Sequence, residues 1–127
     1  MEQIVKQNLS WLKQRRSSFY FACKGIASFL QTEVHARIHM SATVITLLAA
    51  FYLGLTRMEW IVIIFSIALV WTAEMLNTAL EKTLDLLHPG YHPLAGRIKD
   101  IAAGAVLITA IAALCAGLII FIPKLFL

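Results

Sequence analysis

Residues 60–85 read WIVIIFSIALVWTA followed by EMLNTALEKTLD, and the character of the chain changes abruptly after Ala73. The first fourteen residues are uncharged and mostly apolar, whereas the next twelve include three carboxylates. If a single helix runs through both parts, 100° per residue brings four polar side chains within about 60° of one another. These are Glu74, Thr78, Glu81 and Asp85, with Asn77 at the edge of the stripe. Ionisable groups on a helix that has just left a membrane are costly and indicate a functional site.

The whole chain is more apolar than a soluble domain. Of its 127 residues, 60% are hydrophobic and 14% are charged, whereas soluble domains have about 25% charged residues. The charges leave three uncharged stretches, at residues 38–56, 60–73 and 101–123. We predict an all-α membrane protein, a single domain of residues 1–127, with three transmembrane helices at about 36–56, 59–87 and 98–122.

The middle stretch is too short to cross a membrane alone, because fourteen helical residues are about 21 Å long. It spans only if its polar continuation is also helical, which places Glu74 near the hydrocarbon boundary. The histidine, proline and glycine residues of segment 88–93 are then expected to end this second helix.

The N-terminal segment is predicted to be an amphipathic surface helix. Residues 2–16 place apolar side chains on one stripe: Ile4, Val5, Leu9 and Leu12. Ser17 or Ser18 is expected to cap the helix that follows. No signal peptide is expected, because the first thirty residues lack an uninterrupted apolar run.

Basic residues predict the orientation in the membrane. Nine of the eleven Lys and Arg residues lie in residues 1–37 and 82–99, and the other two are Arg57 and Lys124. The positive-inside rule therefore predicts a cytoplasmic N-terminus and a cytoplasmic 82–99 loop. The net charge of +4 is explained by this topology, and no nucleic-acid partner is expected, since no base-reading motif occurs.

The acids and bases that flank the predicted spans lie on the cytoplasmic side and could form one site. Carboxylates two turns apart, such as Glu74 and Glu81, can divide their roles between binding Mg²⁺ through oxygen and accepting a proton. Arg97 and Lys99 could hold anionic phosphate groups. No GxxxxGK[ST] or kinase-type glycine loop occurs, so a nucleotide site here would be of an unusual kind.

Other interpretations of the polar residues remain open. A non-enzymatic membrane subunit could bind or conduct cations through the same carboxylates, although such a path gains nothing from Lys99. His35 and His39 have zinc-like spacing, but without cysteine or an HExxH context a zinc site or metal carrier is not expected. His88 and His92 are interpreted as loop residues.

Two segments of the chain resemble the small prokaryotic membrane lipid kinases of the diacylglycerol kinase/undecaprenol kinase family. They are Glu74-x-x-Asn77-Thr78-Ala79-x-Glu81-x-x-x-Asp85 and Lys99-Asp100-x-Ala102-Ala103-Gly104-Ala105-Val106-Leu107. Lys24-Gly25-Ile26, Thr32-Glu33 with Arg37, and Phe121-Ile122-Pro123-Lys124 fit as well, so that the resemblance covers about residues 18–124.

The resemblance implies a homotrimer that phosphorylates a membrane lipid hydroxyl, undecaprenol or diacylglycerol, at the cytoplasmic face of the bacterial inner membrane. Mg-ATP is the implied phosphoryl donor, and the implied active sites are shared between subunits. Small residues of the third span, at 112 and 116 and at 113 and 117, have the spacing that lets membrane helices approach closely.

The same resemblance implies roles for individual residues. Glu74 is similar to the general base and contacts the lipid together with Arg37, while Glu33 and Glu81 are similar to the metal ligands. The implied nucleotide-binding residues are Glu33, Asn77, Glu81, Gly90, Tyr91, His92, Lys99 and Asp100.

Two positions depart from the family pattern. Phe21 stands where some members have tyrosine, so a hydroxyl contact is lost there. The N-terminal arginine that contacts nucleotide has no single match, because Gln14, Arg15 and Arg16 are all candidates. The Ala103-Gly104-Ala105 run, Glu59-Trp60 and the Pro-Lys ending look more like the undecaprenol kinase branch.

Overall fold

A computed structural model describes the backbone of residues 2–126 and the side chains of residues 11 and 13–126. It contains four helices: α1 (Glu2–Thr32), α2 (Val34–Tyr52), α3 (Arg57–Leu87) and α4 (Pro93–Phe126). No strand occurs within residues 2–126. The last three helices are long and apolar enough to cross a membrane. The predicted all-α membrane architecture with three spans is therefore confirmed.

The chain divides into two compact units, Met1–Ile38 and His39–Leu127. In the first unit, α1 is unbroken through the serines, so the predicted cap at Ser17 or Ser18 is wrong. Both hydroxyls instead donate back to the carbonyl oxygen of Gln14, at 2.7 Å and 3.0 Å. Serine bonds to a carbonyl three or four residues earlier as readily as it caps a helix. The side chains of the predicted apolar stripe, residues 4, 5, 9 and 12, lie outside the described residues.

Glu33 forms the junction between α1 and α2. It is the single non-helical residue there, although its amide still donates to the carbonyl oxygen of Phe29 at 3.0 Å. Arg37 reaches back and donates from Nη2 to the carbonyl oxygen of Gln31 at 2.9 Å. A carbonyl near a helix C-terminus lacks an intrahelical partner, and Arg37 supplies one.

The helix α2 ends at Tyr52, four residues before the approximate end of the first predicted span. Gly54 has φ +62°, which is the left-handed conformation. The amide of Leu55 donates to the carbonyl oxygen of Ala50, and that of Gly54 to Phe51, both at 3.3 Å. These two bonds form a Schellman motif, in which the apolar residue after glycine folds back onto the helix. Leu55 and Ala50 are accordingly both buried.

The helix α3 begins with a capping box. Thr56 Oγ1 accepts from the amide of Glu59 at 3.4 Å, while Glu59 Oε2 accepts from the amide of Thr56 at 2.7 Å. The helix then continues through Ala73 into the acidic segment, as predicted, and ends at Leu87 before Pro89. Its partner α4 starts at Pro93, five residues before the predicted span, because proline suits the first helical position.

Within the second unit, α3 and α4 pack side by side in opposite directions. Lys99 Nζ lies 2.5 Å from Asp85 Oδ1 at one end, and Lys124 Nζ lies 3.2 Å from Glu59 Oε2 at the other. Residues 59 and 85 are about 39 Å apart along the axis of α3 at 1.5 Å per residue. This exceeds the hydrocarbon thickness of about 30 Å, so both ion pairs can lie at or beyond the membrane boundaries.

A small apolar core holds the turn end of this unit together. Ile63 of α3, Ile120 of α4 and Ala50 of α2 are buried with Leu55 of the turn. The helices otherwise expose many large apolar side chains along their lengths. In a chain with three membrane-length helices, these exposed side chains are suited to contact lipid or other membrane helices.

Candidate functional site

Glu74 is the one buried charged residue within the described part of the chain, with 8% of its surface exposed. Its Oε1 lies 2.7 Å from Nε2 of His39, which belongs to α2. A buried carboxylate is strongly destabilising unless it has a hydrogen-bonding or charged partner. His39 therefore provides the buried Glu74 carboxylate with a partner, and their contact connects the acidic stripe of α3 to α2.

His39 was not predicted to be the partner of Glu74, since its spacing from His35 suggested only a possible zinc ligand. Among the described residues, no group of three His, Cys, Asp or Glu side chains is arranged to hold a metal ion by itself. One signal was present in the sequence, since His39 and Tyr52 are the only ionisable residues in the stretch 38–56, and only His39 lies at its predicted cytoplasmic end. Which α3 residue it meets depends on the register of the two helices.

A second bond, one turn away, fixes that register. The indole Nε1 of Trp71 donates to Oγ1 of Thr43 at 3.0 Å. Thr43 lies four residues after His39, and Trp71 lies three residues before Glu74, as expected for antiparallel neighbours. Two consecutive turns of α2 and α3 are thus joined by hydrogen bonds between side chains.

Asn77 and Glu81 form the next part of the stripe. Asn77 Nδ2 donates to Glu81 Oε1 at 2.9 Å, while Asn77 Oδ1 is buried and has no hydrogen-bond partner among the described residues. An unpaired buried acceptor costs about 1–3 kcal/mol. Amide and carboxylate oxygens are the ligand types that suit Mg²⁺, which binds through one or two carboxylates and substrate phosphates. The residue types present are compatible with a magnesium ion, and a magnesium site here stays a prediction.

Lys99 of α4 and Asp85 of α3 form an ion pair at the polar end of these two helices. Their side chains are 37% and 65% exposed, and their separation is 2.5 Å. Such exposed ion pairs contribute about 0–1 kcal/mol, so a phosphate could replace Asp85 as the partner of Lys99 at little cost. Asp100 follows on α4 and is exposed.

The predicted loop residues Gly90, Tyr91 and His92 lie in the connection between α3 and α4. The rings of His88 and His92 stack with centroids 4.9 Å apart. Tyr91 between them is 94% exposed. The loop is therefore held at its base and presents an open aromatic ring, while its contact with nucleotide stays a prediction.

The structure thus brings together the stripe of α3, His39 of α2 and Lys99 of α4. The other two predicted site residues, Glu33 and Arg37, belong to the first unit. Their shared roles with α3, including the metal pair Glu33 and Glu81, stay predictions.

An apolar cavity of about 410 Å³ lies between α2, α3 and α4 of the second unit. Its walls are mostly aliphatic and aromatic, with a few polar side chains that include His39, Thr43 and Trp71. The residues that join α2 to α3 therefore also line the cavity, and one of them contacts Glu74.

Most of the chain is similar to known proteins. Residues 20–121 match the family described as prokaryotic diacylglycerol kinase. Undecaprenol kinase of Bacillus subtilis is 38% identical over 120 residues, which are 94% of this chain and 98% of that protein. Diacylglycerol kinase of Synechocystis sp. is 40% identical over 109 residues, covering 85% of this chain and 62% of that protein.

A third relative, diacylglycerol kinase of Escherichia coli (strain K12), is 32% identical over 93 residues, covering 73% of this chain and 76% of that protein. These matches favour a lipid kinase over the alternative of a cation-conducting or cation-binding subunit. Together with its three membrane-length helices, they show that this chain belongs to the prokaryotic diacylglycerol kinase family and is a multi-pass membrane lipid kinase.

Proposed function

We propose that the protein transfers the γ-phosphoryl group of Mg-ATP to a lipid hydroxyl at the cytoplasmic face of the bacterial inner membrane. The observation that carries this proposal is the buried Glu74 carboxylate, bonded to His39. An apolar cavity lies beside His39. Asn77 and Glu81 follow Glu74 along α3, and Lys99 pairs with Asp85 nearer the end of that helix. Phosphoryl transfer depends on positioning and charge neutralisation more than on covalent chemistry.

The depth of the stripe supports this assignment. Glu74 lies about 22 Å along α3 from Glu59, and Asp85 lies about 39 Å from it. If Glu59 marks one boundary of a hydrocarbon layer about 30 Å thick, Glu74 lies about 8 Å inside the other boundary and Asp85 about 9 Å outside it. A lipid hydroxyl would then meet Glu74, while a nucleotide would meet Lys99 from the water. The positive-inside distribution of basic residues supports a cytoplasmic location for this end.

Each residue of the stripe has a proposed role. Glu74 accepts the proton of the lipid hydroxyl as general base. Asn77 and Glu81 would hold Mg²⁺, which when bound neutralises phosphate charge. Lys99 would bind a phosphate oxygen. We further propose a homotrimer, supported by the small-residue spacing of α4.

The test is ATP-dependent phosphorylation of lipid by the purified protein, with Glu74→Gln and Glu59→Gln as a matched pair. Both variants remove one carboxylate from α3 and keep its size. We expect Glu74→Gln to lower kcat by about 10²- to 10⁴-fold, because a general base contributes that much. Glu59→Gln should retain turnover, since Glu59 lies at the opposite end of the helix. Near-normal turnover by a folded Glu74→Gln protein would show that Glu74 is not the base.

The acceptor is proposed to be undecaprenol. This choice is supported by the undecaprenol kinase of Bacillus subtilis, whose alignment spans 98% of that protein. Undecaprenol and diacylglycerol should be assayed side by side in the same mixed micelles, with kcat/KM compared. A higher kcat/KM for diacylglycerol would contradict the assignment of the acceptor and leave the lipid kinase activity intact.

A further inference from the structure

The contact between His39 and Glu74 is the least expected feature of the membrane-spanning region. The two side chains are 24% and 11% exposed, and 2.7 Å separates Nε2 from Oε1. Both residues lie at the depth of apolar segments, where ionisable groups are costly and are retained mainly for function. The base role proposed for Glu74 gives the histidine no task of its own.

We propose that His39 is a positioning residue that orients the Glu74 carboxylate. In this arrangement Nε2–H donates to Oε1, so the other oxygen, Oε2, is directed toward the acceptor hydroxyl. The lipid proton moves to Oε2 as the lipid oxygen bonds to the γ-phosphorus of ATP. The bond from that phosphorus to the β–γ bridging oxygen breaks, ADP leaves with the electron pair, and His39 keeps its own proton throughout. The inference rests on the proposed base role of Glu74.

The state of Oε2 supports this role. Among the described residues, His39 is the hydrogen-bond partner of the Glu74 side chain. In the same part of the chain, Asn77 Oδ1 is the one fully buried side-chain oxygen or nitrogen without a partner. Among these described residues, Glu74 Oε2 has no hydrogen-bond partner, and it is not fully buried. One oxygen is anchored and the other is open, as a base that must receive a proton requires.

The surroundings of His39 fix its position. The bond between Trp71 and Thr43 joins the same two helices one turn away, at 3.0 Å. His39 also lines the apolar cavity between α2, α3 and α4. An acceptor whose hydrocarbon part lies in this cavity would bring its hydroxyl end to the side of the carboxylate that His39 does not occupy.

The first experiment compares His39→Gln with His39→Met. The two side chains have similar length and no charge, but only glutamine has an N–H group that can replace Nε2–H. We expect His39→Met to lower kcat about 10- to 100-fold, with KM for ATP within about twofold of the original, because a hydrogen bond to a charged group is lost. His39→Gln should retain kcat within about fivefold. His35→Met, the same change one turn earlier at an exposed position, is the control.

Two results would overturn the role. Unchanged kcat in His39→Met would show that the donor is unnecessary. Equal losses in folded His39→Gln and His39→Met proteins, with His35→Met unaffected, would show that the imidazole acts in some way other than as an N–H donor.

A double-variant cycle separates action through Glu74 from independent action. If His39 works only by orienting that carboxylate, adding His39→Met to Glu74→Gln should lower the remaining activity by less than about twofold. Losses that multiply in the double variant would assign His39 a separate role, such as binding the lipid, and would overturn the proposal.

A measurement on the resting protein tests the hydrogen bond without turnover. Nitrogen NMR of labelled histidine should show His39 as the Nε2–H tautomer, with a resonance that shifts in Glu74→Gln. The resonance is assigned by its absence in His39→Gln. If the wild-type enzyme is active but the His39 resonance does not shift in Glu74→Gln, this inference alone is contradicted. If the wild-type protein does not phosphorylate lipid, the proposed function is contradicted.

Discussion

The α3–α4 pair carries a lysine–carboxylate ion pair at each end, but the two ends differ in how completely their polar atoms are bonded. At the turn end, Glu59 Oε2 accepts from both the Thr56 amide and Lys124, at 2.7 Å and 3.2 Å. At the other end, Asn77 Oδ1 is buried without a partner among the described residues, and Asp85 is largely exposed. We call these the closed end and the open end.

The difference separates polar groups that hold the fold from polar groups available to a ligand. The closed end combines a Schellman motif, a capping box and an ion pair. These contacts pair backbone amides and carbonyls of the turn and the Glu59 carboxylate with partners inside the protein. An orphan acceptor and a nearly buried carboxylate at the open end cost stability, which proteins accept mainly at functional sites. The comparison predicts that equivalent substitutions at the two ends affect different properties.

The largest effect within this comparison is expected for Asn77→Leu. Leucine has a similar size and removes the unpaired oxygen, so the stability lost with the bond to Glu81 is offset. The free energy of unfolding should therefore change by less than about 1 kcal/mol. Turnover should nevertheless fall about 10- to 100-fold, as is typical when a group supporting a metal site is lost.

The measurements are kcat with saturating lipid and the midpoint of unfolding in detergent. Thr83→Val is the matched control, because the Thr83 hydroxyl bonds only its own helix, donating to the carbonyl oxygen of Ala79 at 2.7 Å. A folded Asn77→Leu protein with normal kcat would place Asn77 outside the site and remove the main contrast between the two ends.

A smaller effect is expected from the two lysines. Lys99→Met should raise KM for ATP about tenfold, because the proposed phosphate contact is lost while the exposed pair with Asp85 contributes little to stability. Lys124→Met should leave KM unchanged and lower the midpoint of thermal unfolding, because Glu59 then loses one of its donors. If Lys124→Met raised KM as much as Lys99→Met, the two ends would not differ as described.

Much of the fold followed from local sequence patterns. The continuation of α3 from Ala73 into Glu74 was predictable because no breaker intervenes, and its end before Pro89 was predictable because proline restricts the residue ahead of it. The helix α2 ends at Tyr52, four residues before the approximate end of the first predicted span. The sequence shows Gly54, but not that Leu55 folds back onto Ala50 to shorten the helix.

The site was predictable on one helix and not between helices. Helical periodicity alone placed Glu74, Glu81 and Asp85 on one face. The partners His39 and Lys99 depend on the register of antiparallel helices, which the turns and side-chain packing set jointly. The error at Ser17 and Ser18 has a related cause, because a serine near a possible helix start can cap the helix or bond to Gln14 behind it.

The smallest effect is expected at Gly54, in the turn at the closed end. Its φ of +62° is strained for alanine, by about 1–2 kcal/mol, whereas asparagine tolerates this conformation better. No atom lies within 4 Å of a Cβ added there, so the penalty comes from the backbone and not from a clash. Gly54→Ala should therefore lower the free energy of unfolding by about 1 kcal/mol, and Gly54→Asn by less.

Neither substitution should alter kcat of the folded enzyme, because Thr56 at the end of the turn is about 27 Å along α3 from Glu74. Unfolding in detergent and lipid phosphorylation, measured on the same preparations, check both expectations. Equal stability of the alanine and asparagine variants would show that the left-handed turn does not limit stability. A loss of kcat in either variant would show that a change at the closed end alters the active site at the open end. The two ends would then be energetically coupled and could not be treated as independent.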